Sequence, residues 1–347
     1  MSLKVMSKAS LSKWVDHLCD GHRVVAPRRK QDEYVFEEIH LAAEVGLGYP
    51  TTILPPKKVL SPQREELFTF KGNGSSLEAS LEDRPTVILG LHTCDMHAIA
   101  LLNNVFNQNF VDQHYLKRRE NTALVSIECL QPCTEHAFCK DMGTLILPEE
   151  FDLHLTDLGD NYAVDVGSKK GEALLKGFNG IREASAEDCR RVNQVLSEKW
   201  PRFTHRLESD VIELPSLLSI GYKSVLWDEL GERCLSCGAC TLVCPTCFCF
   251  NVIDEVEFSL DAGGRFRTWD SCQLDQFAVV AGGHNFRASR ADRLRHRFLH
   301  KFRYLTESYE MVGCVGCGRC AQSCLVHITP IDTLNSLKHK VLSAKRS

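Results

Sequence analysis

Cys234, Cys237, Cys240 and Cys244 stand at the spacing C-x2-C-x2-C-x3-C, followed by Pro245. Cys314, Cys317, Cys320 and Cys324 repeat that spacing 80 positions later. Thiols in this pattern are ligands for [4Fe–4S] clusters, in which each iron of the cube takes one cysteine sulfur. Three cysteines two residues apart wrap one cluster in a tight loop. A zinc ribbon would show two C-x2-C pairs rather than three cysteines within seven residues. A disulfide framework fits less well still, because the 17 cysteines are an odd number and the start of the chain has no apolar export signal. The chemistry this pattern supports is the transfer of single electrons.

When two such runs pair, the fourth cysteine of each crosses to the other cluster. The expected ligand sets are therefore Cys234, Cys237, Cys240 and Cys324 for one cluster, and Cys314, Cys317, Cys320 and Cys244 for the other. Cys324 is followed by Leu325 where proline is usual. That proline shapes a turn and is not a ligand. Cys94, Cys129, Cys133 and Cys139 form a further group, read as ligands of a third [4Fe–4S] cluster or as packed thiols. Among the flanking His92, His97 and His136, a polar loop role is preferred to metal ligation. Cys247, Cys249 and Cys272 are read as packed thiols near a cluster, since both runs are already complete. Cys19 and Cys189 have no partners in sequence.

The elements around these residues divide the chain at about residue 214. Residues 86–91 and 123–127 are unbroken apolar runs, as in strands buried on both faces. Residues 96–106 between them carry helical periodicity, with Thr93 or Asp95 as a cap. This is a βαβ unit, and it places Cys94 and Cys129 just past two strand ends, the edge where open α/β sheets bind ligands. A short amphipathic helix (11–18) and a strand (24–26) precede it. Residues 71–76 form a turn, and two alternating strands (151–156 and 162–166) follow. From 171 to 206 the pattern is helical and charged. The expectation is an α+β protein, with an N-terminal α/β domain (1–213) and a C-terminal α-helical domain (214–347). The segment between the two cysteine runs is expected to be largely helical, with a turn at Gly263 and Gly264 and a helix across 274–302. Arg287, Arg290, Arg293, Arg295, Arg297, Lys301 and Arg303 make that stretch basic. It is either a solvated face, a docking surface, or charge compensation for thiolate-bound clusters.

The chain has 347 residues and a net charge of −4. Its overall acidity leaves no nucleic-acid footprint, and no apolar stretch reaches the ~20 residues of a membrane span. Arg28, Arg29 and Lys30 are followed by Gln31, Asp32 and Glu33, not by an apolar run, so no twin-arginine leader is expected. A reducing cytoplasm is the expected setting. Neither a Gly-rich dinucleotide fingerprint nor a P-loop is present.

The segment from Cys234 to Cys249 resembles one known family. So do the Trp-Asp-Ser-Cys motif ending at Cys272, the stretch from Ala281 to Arg287, Arg295-His-Arg, and the run beginning at Cys314. In the first domain the similarity includes the stretches 93–99, 118–122, 141–144 and 155–160. The family comprises the β subunits of cytoplasmic NiFe hydrogenases (sulfhydrogenases) and the corresponding subunits of anaerobic sulfite reductases. The resemblance implies an α-helical ferredoxin domain, two [4Fe–4S] clusters and support for a third. It implies an electron relay between a flavin subunit that oxidises NAD(P)H and a catalytic subunit, hydrogenase being preferred to sulfite reductase. A cluster-based sensor or scaffold is the alternative of another class. Relatives tend to read Cys-Phe-Cys where this chain has Ala137, Phe138 and Cys139; Cys133 is the candidate for the missing thiol.

Overall fold

The computed structural model describes residues 2–72 and 76–344. The centre of the turn expected at 71–76 lies outside the described residues. In chain order the strands begin with β1 (Ser2–Ser7), β2 (Arg23–Lys30), β3 (Glu33–Ile39), β4 (Arg64–Lys71), β5 (Ser76–Ala79) and β6 (Thr86–Leu91). They continue with β7 (Thr122–Ile127), β8 (Leu153–Asp157), β9 (Asn161–Val166), β10 (Ile181–Glu183), β11 (Phe250–Val256) and β12 (Ala262–Trp269).

An eight-stranded sheet runs β10-β1-β9-β8-β7-β6-β2-β3. Its central strands β2, β6, β7 and β8 are parallel and its flanks antiparallel. β6 and β7 are buried at every residue, which accounts for their unbroken apolar sequence. Successive side chains go to opposite faces. Val87, Leu89, Ala123 and Val125 meet Leu11, Trp14, Val15 and Leu18 of the helix Lys8–Gly21. Ile88 and Leu124 meet Met96, Ile99 and Leu102 of the helix Thr93–Asn107 on the other side. β6, that helix and β7 are the expected strand–helix–strand unit, with the two strands adjacent and parallel. The cap differs from expectation. His92 holds the N-cap position without a side-chain capping bond, and the Asp95 carboxylate is turned to Arg319 instead.

The C-terminal region is mostly helical around a core that also takes in Phe138 and Met142 of the N-terminal region. The helices Leu214–Ile220, Leu226–Arg233, Arg290–Leu299 and Pro330–Ala344 bring together Leu218, Trp227, Leu294, Phe298, Leu334 and Leu337. Among the described residues no helix is long and apolar enough to cross a membrane.

Three expectations about the segment between the cysteine runs need correction. The segment opens with a β-ribbon, β11 and β12, which joins β4 and β5 in a second sheet of order β11-β12-β4-β5. The turn falls at residues 257–261, where Glu257 and Ala262 are bonded, and Gly263 and Gly264 lie within β12. Gly263 is needed for contact: a Cβ there would stand 2.5 Å from the Glu255 carbonyl and from the Phe70 ring. The expected helix across 274–302 begins only at Arg290, after Gly282 and Gly283 at φ 90° and 80° and a Ser289 cap. β11 is largely exposed, so it lacks the half-buried alternation that marks a strand in sequence. Through β4 the ribbon ties the C-terminal region to the N-terminal one. Glu65 of β4 and Asp112 hold the buried guanidinium of Arg267.

A second tie is the ion pair of Asp95 with Arg319. Nη1 and Nη2 donate to the two carboxylate oxygens at 2.7 and 2.9 Å, and Nε donates to the Thr52 carbonyl at 3.0 Å. The side chains are 0% and 2% exposed, so removing one partner strands a charge in the interior. Asp95→Ala is expected to cost about 3–5 kcal/mol of stability. Urea unfolding checks this as a lower midpoint; an unchanged midpoint would count against the pair's role.

Candidate metal centres

The two cysteine runs fold alike. Cys234 caps the helix Leu226–Arg233, Ser236 and Gly238 take positive φ (56° and 78°), and the one-turn helix Ala239–Leu242 carries Cys240. In the second run Gly316 and Gly318 stand at the same two positions (66° and 77°) ahead of the turn Arg319–Gln322 with Cys320. Left-handed residues let the chain double back so that its thiols converge. Cys234, Cys237, Cys240 and Cys324 line one cavity. Cys244, Cys314, Cys317 and Cys320 line another. The fourth cysteine of each run thus lies in the cavity of the other. Backbone amides of Ser236 and Ile328 donate to the sulfurs of Cys234 and Cys324, each at 3.3 Å. Burial pushes the thiols of Cys240 and Cys317 up to about 12 and raises Cys314 as well. Bare thiolates are disfavoured there, so the donor set suits a bound cation that supplies the compensating charge.

The N-terminal group lies against the second run. Phe138 N–H donates to the Gly316 carbonyl at 2.8 Å, and Thr144 Oγ1 to the Val315 carbonyl at 2.6 Å. A Cβ on Gly316 would stand 2.6 Å from the Cys139 nitrogen, so this contact requires glycine. Cys94 opens the helix Thr93–Asn107 and packs with Val315 and Cys317. Cys139 packs with Cys129. The ligand atoms of His92, Cys129 and Cys133 lie within 4.8 Å of one another. His92 is buried and stacked on Tyr49 at 4.2 Å, with Nδ1 3.5 Å from Cys133 Sγ. The preference for a polar loop role is therefore wrong for His92. A stacked, buried imidazole depends on Tyr49, which lies far away in sequence. The Cys133 thiol, hydrogen-bonded to Cys129, holds Cys129 down at about 6; burial raises Cys139 to about 12. His97 instead bonds the Ile146 carbonyl at 2.8 Å. Cys19 is half-buried and Cys189 exposed, both apart from these groups.

Residues 233–328 match the 4Fe-4S dicluster domain family. The chain is 36% identical over 321 residues to "Sulfhydrogenase 2 subunit beta" of Pyrococcus furiosus, a match that spans 92% of this chain and 93% of that protein. The chain belongs to the sulfhydrogenase β-subunit family. No solved structure matches it. The family similarity takes in the N-terminal sheet as well as the cysteine runs, so the contact between them lies within the shared unit.

The basic stretch is not a solvated face. Arg290, Arg293, Arg297 and Lys301 recur at helical spacing, and the last three are buried. Arg290 donates to the Cys234 carbonyl at 3.1 Å, and Arg293 grips Ser236 Oγ at 3.0 and 3.1 Å. Lys301 donates to Thr246 Oγ1 at 2.8 Å. Arg297 lines both four-cysteine cavities, and its Nε has no partner among the described residues. A buried guanidinium without a carboxylate needs other negative charge nearby, and thiolate-bound clusters supply it. Positive charge beside a cluster raises its reduction potential. Arg297→Leu should lower both potentials by about 60 mV or more, taking the lost interaction as about 1.4 kcal/mol for one electron. Titration followed by electron paramagnetic resonance reads this directly, and unchanged potentials would exclude the role.

Proposed function

We propose that this iron–sulfur subunit is an electron relay in a multi-subunit oxidoreductase, between a flavin subunit that oxidises NAD(P)H and a catalytic subunit of hydrogenase type. The observation that carries this is the pair of four-cysteine cavities, each completed by a cysteine of the other run. On this reading Cys234, Cys237, Cys240 and Cys324 hold one [4Fe–4S] cluster, and Cys314, Cys317, Cys320 and Cys244 the other. When bound, such clusters take up and release one electron at a time. The chain's own residues do the rest. The left-handed turns preset the thiols, and Arg297 and Lys301 offset the negative charge.

Cys94, Cys129, Cys133 and Cys139 are the proposed site of a third cluster, with His92 beside them. The backbone contact at Gly316 supports this, because it seats that group directly on the second run. Residues 1–213 and 214–347 then divide the labour rather than the packing, since β4 pairs with β12 across the boundary. The relative's name supports a hydrogenase partner. A reducing cytoplasm suits so many free thiols.

Iron and acid-labile sulfide counts on anaerobic protein test the assignment, at about four irons per cluster. Cys237→Ser should lose or convert one cluster and interrupt reduction by NAD(P)H in the complete complex. Cys129→Ser should lose about four irons while the other two clusters keep their spectra. If Cys129→Ser leaves the count unchanged, the third cluster is excluded and the relay stands. If the wild-type clusters in the assembled complex are not reduced by NAD(P)H, the relay reading fails.

A further inference from the structure

Besides the isolated Cys19 and Cys189, three cysteines remain outside these sets, and the fold brings them together. Cys249 directly precedes β11 and Cys272 closely follows β12. The ribbon pairs Phe250 with Trp269, and the Asp270 amide donates to the Cys249 carbonyl at 3.0 Å. Its two ends are thereby closed, with Cys249 and Cys272 at the closed end. Cys247, Cys249 and Cys272 all line a cavity of about 300 Å³.

The cations around this cavity are partly shared with the second four-cysteine cavity, which Arg297 and Lys301 also line. Arg297 and Lys301 line it, and Lys57 donates to the Cys247 carbonyl. All three cations are 4–6% exposed. Among the described residues none of them has a carboxylate partner, and Arg297 Nε has no hydrogen bond at all. An anionic group here would face Lys57 as well as the two cations it shares with the neighbouring cavity.

Two imidazoles, His296 and His300, line the same cavity. Arg287 Nη1 stands 3.3 Å from both nitrogens of His296. That leaves His300, which is placed by the π-turn His300–Tyr304 inside an otherwise α-helical stretch. Such turns recur at functional sites.

We propose that Cys247, Cys249 and Cys272 hold a further iron–sulfur cluster, with the imidazole of His300 as its fourth ligand. This goes beyond the relay reading, which requires none of the four residues.

The test uses the full chain in its complex, purified without oxygen. Cys249→Ser/Cys272→Ser should lose about four irons and four sulfides per chain, while the signals that depend on Cys237 persist. His300→Cys should keep the iron count and change the spectrum of this cluster alone. In the unmodified protein, Cys249 and Cys272 should resist alkylation until iron is chelated. The proposal is overturned by an unchanged iron count in the double variant, by loss of one zinc instead, or by prompt alkylation of both thiols in the iron-loaded protein. Loss of the Cys237-dependent signals in Cys237→Ser reports on the relay, so the two ideas fail separately.

Discussion

The ion pair between Asp95 and Arg319 is the contact on which the arrangement of cysteines depends. Asp95 sits one residue after Cys94, and Arg319 one residue before Cys320. Both oxygens and both terminal nitrogens are used, and neither side chain is exposed beyond 2%. Such a pair contributes little net energy compared with apolar packing, because desolvation offsets the attraction. Its value is geometric, since a bidentate fork accepts only one mutual orientation. It fixes the first turn of the helix after β6 against the one-turn helix of the second run. The contact at Gly316 then follows, and an N-terminal sheet of quite different architecture is held in register with a helical cysteine scaffold.

The second constraint is charge. Thiols packed in apolar surroundings resist ionisation, and those of Cys240 and Cys317 rise to about 12. Cluster ligation requires thiolates. The chain answers with cations buried along one helix face. Arg293 acts through Ser236 of the first loop, Arg297 reaches the cavities of both runs, and Lys301 acts through Thr246 near Cys244. With its cavities empty, this helix would bury uncompensated positive charge. Folding of the C-terminal region and acquisition of its anionic groups are therefore one thermodynamic event.

What was legible in the sequence was whatever depends on local pattern. The two cysteine runs, the buried strands β6 and β7, and the helix between them follow from spacing and apolar continuity. Crossing of Cys244 and Cys324 followed from the way such runs pair. The β-ribbon was not legible, because β11 is exposed and its hydrogen bonds to β12, not burial, make it a strand. His92 was misjudged because its environment comes from Tyr49 and Cys133, remote in sequence. The basic stretch was visible as charge, but its burial depends on which helix face meets the cysteine loops. Asp95 resembled a cap until Arg319, more than two hundred residues away, claimed its carboxylate.

The long separation of the two runs has a physical reason. The eight ligands of two clusters need only short connectors, yet here the connector contains a ribbon and an arginine-rich helix. The ribbon cannot stand alone, since a two-stranded hairpin is marginal in water; β4 and β5 complete its sheet and Glu65 and Asp112 anchor Arg267. The helix likewise cannot stand alone, because its buried face is cationic. Each half of the connector is thus stable only when docked. The ribbon docks on the N-terminal region, and the helix docks on the cysteine loops. The connector is the part of the chain that makes the two regions fold as one, and Cys249 and Cys272 lie where its two dockings meet.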